Sequence, residues 1–290
     1  MEYDSSNVAL TEPEKQAALP FDPDWSEHVL WSEFARLAYK RAEPEADSAA
    51  QKDELNAALL AAGYGPAKTF ISPSLLPGRD FWAYAFGTTR ADGTVVVAFR
   101  GTQPKNLNNL RDDIQFWPRR WSGTGHVHRG FLRAYESVRQ DIDCWLADKQ
   151  PARLIITGHS LGAAMATLMA EQHPEAELVT FGSPRVGGRG FAARFAGRKV
   201  SRYVDCYDFV TNLPPPIWFR HVAEMHYVDR HGMVHNPPPG LMGRVKDRLL
   251  GDLSYAWKCT FKRGSVWFRT GADHAPINYV AAVLGKRFGP

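Results

Sequence analysis

Apolar positions in the first quarter of the chain recur at helical spacing. Leu30, Phe34 and Leu37 are four and three residues apart. Ser26, which precedes them, is a residue type that caps helix N-termini. A helix with one buried stripe is therefore predicted there. A second helix is predicted from about 47 to 62, with Gly63 as its end.

The middle of the chain changes to strand spacing and then to an alternation of helices and strands. Two β-rich runs, 81–87 and 94–99, flank a turn that contains an Asp-Gly pair, which predicts a hairpin. The elements predicted next are a helix over 128–148, a strand over 154–157, a helix over 160–172, a strand over 178–181, a helix near Phe191 and a strand over 200–204. This alternation predicts parallel strands joined by crossover helices, an α/β fold.

The remaining segments set the expected domain organisation. Residues 1–24 mix acidic residues and prolines with little periodicity, which predicts a flexible or loosely docked arm. Residues 25–290 are expected to form a single domain, because α/β folds often reach this length around one core. Hydrophobic residues make up 44% of the chain and charged residues 23%, a composition typical of globular proteins.

Charge and cysteine content restrict the partners and the compartment. The net charge of +4 comes from 35 basic and 31 acidic residues without a long like-charge block, so no nucleic-acid partner is expected. The three cysteines are widely spaced and suit reduced thiols. The polar N-terminus has no apolar run of signal-peptide length, and no transmembrane segment is expected. A cytoplasmic location is therefore expected, with secretion by another route left open.

Gly158-His-Ser160-Leu-Gly162 is the segment that points to chemistry. It fits G-x-S-x-G, in which a strand turns sharply into a helix and exposes the serine hydroxyl above the sheet of an α/β-hydrolase. The predicted strand precedes it and an alanine-rich helix follows, which is the context that the pattern requires. A structural glycine turn with an incidental serine is the alternative. We expect Ser160 to be a nucleophile.

A serine nucleophile needs a base and an acid that orients the base. In this fold both follow the serine in the chain, the acid first. Asp205 and Asp208 lie three residues apart and face opposite ways if the strand continues. Asp208 is nearer the strand end, where a side chain reaches the catalytic edge, and Asp205 is expected to make a structural hydrogen bond or to face solvent.

Five histidines follow Asp208, and only one can be the base. They are His221, His226, His231, His235 and His274. His231 and His235 are four residues apart, as metal ligands on a helix are, but Gly232 and the prolines at 237–239 argue against a helix. Exposed loop histidines are the alternative to metal binding, and the residues alone do not choose the base.

Several ordered segments resemble the landmarks of class 3 lipases, a family of fungal triacylglycerol lipases with plant and bacterial relatives. The resemblance covers about 81–283. The segments are Val96–Thr102, His128–Phe131, Gly158–Gly162, Thr180–Gly187 and Asp208–Pro215. The resemblance implies an α/β-hydrolase fold, with a mostly parallel central sheet flanked by helices and a lid segment.

The resemblance also implies roles for individual residues. The catalytic triad is carried over onto Ser160, Asp208 and His274, with His221 as the alternative base. Thr102 resembles the oxyanion-hole residue at a strand end and would act with the amide of Leu161. Such donors stabilise the charge that grows on the carbonyl oxygen during attack. A strand-end turn is the alternative reading of the Gly101-Thr102 corner.

Two segments are candidate covers for the site. Residues 103–121 carry apolar positions at helical spacing where the family has a mobile lid, although the composition also suits a fixed surface helix. Residues 237–263 depart from the compact fungal pattern. They suit either a second amphipathic flap or a fixed helix that caps the core.

The function expected from the sequence is carboxylic-ester hydrolysis through an acyl-enzyme, without a cofactor or a metal. The resemblance implies a triacylglycerol lipase that acts on ester lipids at a lipid-water interface. Phospholipids cleaved at an sn-1 acyl bond and small aromatic esters are the alternative substrates. An inactive lipid-binding relative is the alternative of another class.

Overall fold

A mixed β-sheet forms the centre of the computed structural model, which describes residues 3–40, 48–72, 83–102, 117–121, 125–259 and 264–286. Within these ranges the strands are β1 (Lys68–Ser72), β2 (Ala83–Thr89), β3 (Thr94–Phe99), β4 (Pro118–Arg120), β5 (His126–His128), β6 (Arg153–His159), β7 (Glu177–Phe181), β8 (Val200–Asp205), β9 (Met225–Val228) and β10 (Val234–His235). Eight of these described strands share one sheet in the order β1-β2-β3-β6-β7-β8-β9-β10.

The sheet has a parallel centre and antiparallel edges. Strands β3, β6, β7, β8 and β9 are parallel neighbours, whereas β1–β2, β2–β3 and β9–β10 are antiparallel pairs. The predicted hairpin is β2–β3, with Gly93 at a φ of 82° in its turn. The predicted mostly parallel α/β sheet is therefore confirmed.

Helices cover both faces of the sheet. The described helices are α1 (Asn7–Thr11), α2 (Glu27–Leu37), α3 (Ser48–Ala61), α4 (Arg129–Lys149), α5 (Leu161–Gln172), α6 (Arg189–Ala193), α7 (Leu241–Lys258), α8 (Arg269–Ala272) and α9 (Pro276–Val283). Apolar residues of α4 and α5 pack on one face of the sheet, and those of α2, α3 and α9 pack on the other.

Strand β3 shows how one strand serves both layers. Val95 and Val97 face the α4–α5 layer, whereas Val96 and Ala98 face the α2–α3 layer. All six residues of β3 are buried, which explains why the strand is a continuous apolar run rather than an alternating one.

The described part of the N-terminal segment is docked, so of the two forms expected for it the flexible one does not describe the structure. Its first residues contact the C-terminal part of the chain, and residues 18–19 contact α2 and α3. The Tyr3 hydroxyl donates to Asp273 at 2.6 Å, the Asp4 amide donates to the Asn278 side chain at 2.8 Å, and Ala9 is fully buried. The segment is fixed by contacts distant in sequence, which its weak periodicity did not show.

The two candidate covers differ from expectation. Residues 103–116 lie outside the described residues. The end of the candidate lid, 118–120, is strand β4, which pairs with β5, and the indole of Trp121 donates to Glu171 at 2.7 Å. This end is therefore part of a fixed hairpin. Most of 237–263 is helix α7, which has an exposed apolar face.

His128 caps α4 from a buried position. Its Nδ1 accepts a hydrogen bond from the Phe131 amide at 3.3 Å, and the two rings stack with centroids 4.0 Å apart. Burial lowers the pKa of His128 to about 4. In the unfolded chain a histidine binds its proton near pH 6.5, so the folded state binds fewer protons between these two values.

Acid is therefore expected to destabilise the fold through His128. As the pH falls from about 6.5 to about 4, this ring should remove about 2 kcal/mol from the free energy of unfolding. Urea titrations at about pH 7 and about pH 4.5 measure the change. His128→Asn keeps a capping side chain and should remove that part of the pH dependence, whereas His231→Asn, at an exposed site, should not. Equal pH dependence in the parent and His128→Asn would contradict the assignment.

Candidate active site

Ser160 occupies a strained turn between β6 and α5. Its backbone has φ 59° and ψ −127°, a conformation that residues with a side chain rarely adopt. A Cβ added to Gly158 would lie 2.5 Å from the carbonyl carbon of Gly162, and one added to Gly162 would collide with the Phe99 backbone. Both glycines are therefore required by the close approach of strand and helix around the serine.

A hydrogen-bonded relay joins Ser160 to His274 and Asp208. The distance from Ser160 Oγ to His274 Nε2 is 2.9 Å, and that from His274 Nδ1 to Asp208 Oδ2 is 2.8 Å. All three residues are buried. An ionised carboxylate only accepts hydrogen bonds, so Nδ1 of the ring donates to it and Nε2 of the neutral ring accepts the serine proton. The structure thus brings together the three side chains predicted to act as a triad.

Asp208 is fixed by donors on its other side. The Tyr279 hydroxyl donates to Oδ2 at 2.6 Å, and the Val210 amide donates to Oδ1 at 2.8 Å. The carboxylate is fully buried, and these bonds replace the hydration that it loses. With both oxygens held, Asp208 keeps the imidazole of His274 in one orientation.

Of the two roles expected for Asp205, exposure to solvent is excluded and a structural role beside Asp273 is left. It is fully buried, and its carboxyl lies within 4.8 Å of the Asp273 carboxyl and the Cys206 thiol. Burial, followed by the neighbouring Asp273 carboxylate, raises the pKa of Asp205 well above its usual value. The Arg269 guanidinium pairs with Asp273 at 3.1 Å. Asp205 thus belongs to a buried cluster beside the relay.

The other histidines lie outside the relay. His221 Nε2 contacts the Thr211 carbonyl at 3.0 Å, and burial, followed by Arg202, lowers the pKa of His221 well below its usual value. Residues 229–235 form a turn and strand β10, and His235 Nε2 contacts Asp229 Oδ2 at 2.8 Å. His231 and His235 are therefore not on the helical face that the metal alternative required.

The predicted oxyanion-hole residues flank the serine. Phe99, the last residue of β3, pairs with Gly158 in parallel register, which places Gly101 and Thr102 beside the turn. A Cβ on Gly101 would lie 3.0 Å from Ser160 Cβ. The Thr102 hydroxyl oxygen is buried and has no hydrogen-bond partner among the described residues. Leu161 is the first residue of α5, where the helix leaves the amide without a helical acceptor.

Comparison with known proteins agrees with this arrangement. Residues 96–218 match the model of the family described as lipase (class 3). The matched range contains Thr102, Ser160 and Asp208, and the residue pattern agrees with the geometry. Over this range, which is less than half of the chain, the protein is similar to class 3 lipases.

Two of the similar proteins come from a plant and a fungus. The chain is 36% identical over 149 residues to phospholipase A(1) DAD1, chloroplastic, of Arabidopsis thaliana, with 41% of this chain and 33% of the relative covered. It is 32% identical over 156 residues to the secreted mono- and diacylglycerol lipase 1 of Fusarium solani, with 49% and 46% covered. The chain thus spans less than half the length of these two relatives.

A solved structure supports the fold over a longer range. A triacylglycerol lipase whose catalytic centre is described as a serine protease triad superimposes with a TM-score of 0.52 at 25% identity, covering 70% of this chain and 79% of that one. None of the described helices is both long and apolar enough to cross a membrane.

Sequence reasoning missed several residues that shape the candidate active site. Gly182 has a φ of 60°, and a Cβ there would lie 2.7 Å from Asp208 Oδ2. The buried His159 ring lies 4.6 Å from that of His274 and forms a 2.8 Å hydrogen bond with the Tyr39 hydroxyl. Burial, followed by His274, lowers the pKa of His159 well below its usual value, so the ring is neutral beside the relay. The positive φ of Gly182 leaves no sequence signal beyond the glycine itself.

Gly182→Ala is expected to lower kcat by at least about tenfold, because the new methyl group displaces the Asp208 carboxylate by a fraction of its hydrogen-bond length. Gly197→Ala is the matched control. Gly197 also has a positive φ, 74°, but a Cβ there meets no atom within 4 Å. Both variants should lose about 1 kcal/mol of stability through backbone strain, measured by urea unfolding. Equal kcat values would show that Gly182 does not make room for the carboxylate.

Proposed function

We propose that the chain is a serine hydrolase that cleaves carboxylic esters of lipids, with triacylglycerols as the main substrates. The observation that carries the proposal is the Ser160–His274–Asp208 relay, with hydrogen bonds of 2.9 and 2.8 Å at a strained strand-to-helix turn. A structural turn with an incidental serine would not require His274 or Asp208 beside it. An inactive lipid-binding relative would not require the three side chains to be hydrogen-bonded in series.

The geometry supports acyl transfer in two half-reactions. His274 Nε2 takes the Ser160 proton as Oγ attacks the ester carbonyl, and then delivers that proton to the departing alcohol. Water, deprotonated by the same nitrogen, then releases the acid and regenerates the serine. Asp208 stabilises the imidazolium in both steps. Every proton and electron pair moves among these side chains, the ester and water, so the proposed reaction needs no cofactor.

The oxyanion of each tetrahedral intermediate requires donors. The Leu161 amide at the N-terminus of α5 and the amide and hydroxyl of Thr102 are proposed for this role. Their support is the position of Gly101 and Thr102 beside Ser160, together with a buried Thr102 hydroxyl that has no hydrogen-bond partner among the described residues and is available to a ligand. Charge on the substrate oxygen grows during attack, so these bonds strengthen in the transition state.

The relatives support lipid esters as the substrate class. Their names include a mono- and diacylglycerol lipase, a triacylglycerol lipase and a phospholipase A(1). The phospholipase relative favours phospholipids, cleaved at an sn-1 acyl bond, as the second candidate. Small aromatic esters remain a third substrate class to be tested.

A substrate panel tests the proposal. Release of fatty acid or p-nitrophenol is measured with p-nitrophenyl esters of increasing chain length, an emulsified triacylglycerol, a phosphatidylcholine and a small aromatic ester. Triacylglycerol should be hydrolysed fastest, and Ser160→Ala should hydrolyse none above background. Faster release from phosphatidylcholine would favour the phospholipase, and no turnover of any ester would contradict the proposal.

Two expectations from the sequence stay predictions. A lid over 103–116, if it opens at a lipid interface, should make hydrolysis of a short triacylglycerol rise sharply above its solubility limit, and a smooth saturation curve would contradict it. A cytoplasmic location is tested by fractionating the producing cells and following the protein by immunoblotting.

A further inference from the structure

Helix α7 (Leu241–Lys258) carries its apolar residues on the outside of the molecule. Leu241, Val245, Leu249, Leu253 and Trp257 recur every four residues and are exposed, with Leu253 at 69% and Trp257 at 88%. Residues with this spacing form one stripe along a helix. Such stripes normally face the protein core, and this one faces away from it.

The opposite, polar face of α7 attaches the helix to the protein. Asp247 accepts hydrogen bonds from the Tyr227 hydroxyl and the Arg230 guanidinium, both at 2.8 Å. Arg248 Nε donates to the Cys206 carbonyl at 2.7 Å. Asp247 is buried by these contacts. The polar side is thus fixed inward by specific bonds, and rotating the helix to bury its apolar stripe would break all of them.

Neighbouring aromatic residues extend the exposed apolar surface. The Tyr255 hydroxyl of α7 donates to the Val266 carbonyl at 2.6 Å, which holds the following residues beside the helix. Trp267 is 73% exposed and Phe268 is 72% exposed. Aromatic side chains of this kind are enriched where a protein meets the headgroup region of a bilayer. We name the exposed side of α7 together with 266–268 the α7 face.

The charges of the α7 face fit a phosphate-bearing surface. Lys246 is exposed among the apolar residues of α7, and Arg244 is half-buried on the same helix. Of the two acids on the helix, Asp247 is buried and paired with Arg230, and the exposed Asp252 accepts the Tyr207 hydroxyl. A second copy docked on the same stripe would bury two like-charged lysines against apolar side chains. A bilayer takes the apolar stripe into its acyl region while the lysine reaches the phosphates.

We propose that the α7 face is a docking surface for a phospholipid bilayer, with a preference for anionic headgroups. It lies close to the relay, because Arg248 is bonded to Cys206, two residues before Asp208. Docking through α7 therefore holds the strand end that carries the catalytic carboxylate near the bilayer. The inference concerns binding, and it stands or falls independently of ester hydrolysis.

Vesicle co-sedimentation tests the proposal. Every protein carries Ser160→Ala, so that no lipid is consumed, and vesicles are phosphatidylcholine alone or with about a third phosphatidylglycerol. The double variant Leu249→Glu with Leu253→Glu should bind mixed vesicles at least about tenfold more weakly, because two carboxylates enter the apolar contact. Leu60→Glu on α3 is the matched control, since Leu60 is 74% exposed on another surface and should have no effect.

Charge and oligomeric state distinguish the other outcomes. Lys246→Glu should weaken binding to mixed vesicles at least about fivefold and leave binding to phosphatidylcholine nearly unchanged. Circular dichroism and thermal unfolding show that each variant is folded. The proposal would be overturned if the Ser160→Ala protein bound neither vesicle type. It would also be overturned if the double variant bound mixed vesicles as strongly as Leu60→Glu does. If the protein did not bind vesicles but formed a dimer in sedimentation velocity, and if the double variant were monomeric, the α7 face would be assigned to contact with a second copy instead.

Discussion

Ser160→Ala is expected to lower kcat for a p-nitrophenyl ester by about a million-fold, to near the background rate. The alanine removes the only atom that can form the acyl-enzyme, and His274 then has no attached nucleophile to deprotonate. The fold should survive, because the strained turn depends on the two flanking glycines and a smaller side chain relieves crowding. Initial rates from purified protein, with unfolding followed by circular dichroism, measure both effects.

A buried serine elsewhere provides the control for Ser160→Ala. Ser32 on α2 is 2% exposed, and its hydroxyl donates to the Val29 carbonyl at 2.7 Å. Ser32→Ala should keep kcat within about twofold, because it removes only a hydrogen bond to the Val29 carbonyl within α2. Substantial turnover by Ser160→Ala beside a normal Ser32→Ala would overturn the assignment of the nucleophile.

His274→Ala is expected to lower kcat by about ten-thousand-fold or more, because Ser160 loses its base and Asp208 loses the ring that it orients. His221→Ala should change kcat by no more than a few-fold. His221 contacts the Thr211 carbonyl, so its loss is expected to cost about 1 kcal/mol of stability. Parallel rate and urea-unfolding measurements separate the two roles. If His274→Ala were active and His221→Ala inactive, His221 and not His274 would be the catalytic base.

The strained turn that carries Ser160, the proposed nucleophile, could be predicted from local sequence because its constraints are local. The glycines two residues before and after Ser160 are imposed by backbone contacts within the turn and with β3, and the apolar run of β6 marks the strand that leads into it. Asp208 was also preferred over Asp205 from the strand end, and the structure places it on the imidazole.

The partners from distant sequence were harder to predict. The spacing of the five histidines after Asp208 does not show which of them is the base. His274 was chosen by family resemblance. Gly182 and Tyr39 shape the site through contacts that join separate elements, and such contacts leave no periodic pattern. The catalytic roles of these residues stay predictions until variants are measured.

Two segments show where periodicity misleads. The N-terminal segment has little periodicity, yet it is fixed by single bonds to other elements, such as Tyr3 to Asp273 and Leu19 to Glu33. Helix α7 has clear amphipathic spacing, which cannot say which face turns inward. Its polar face is inward because Asp247 finds Arg230 and Tyr227 there.

Covalent trapping tests the central claim most directly. Incubation with a fluorophosphonate ester, followed by intact mass measurement and peptide mapping, reports which oxygen is activated. One adduct per chain on Ser160 is expected, lost in Ser160→Ala, strongly slowed in His274→Ala and retained in His221→Ala. An adduct on another residue, or labelling of Ser160 at an unchanged rate in His274→Ala, would contradict the claim that His274 activates Ser160 as the nucleophile.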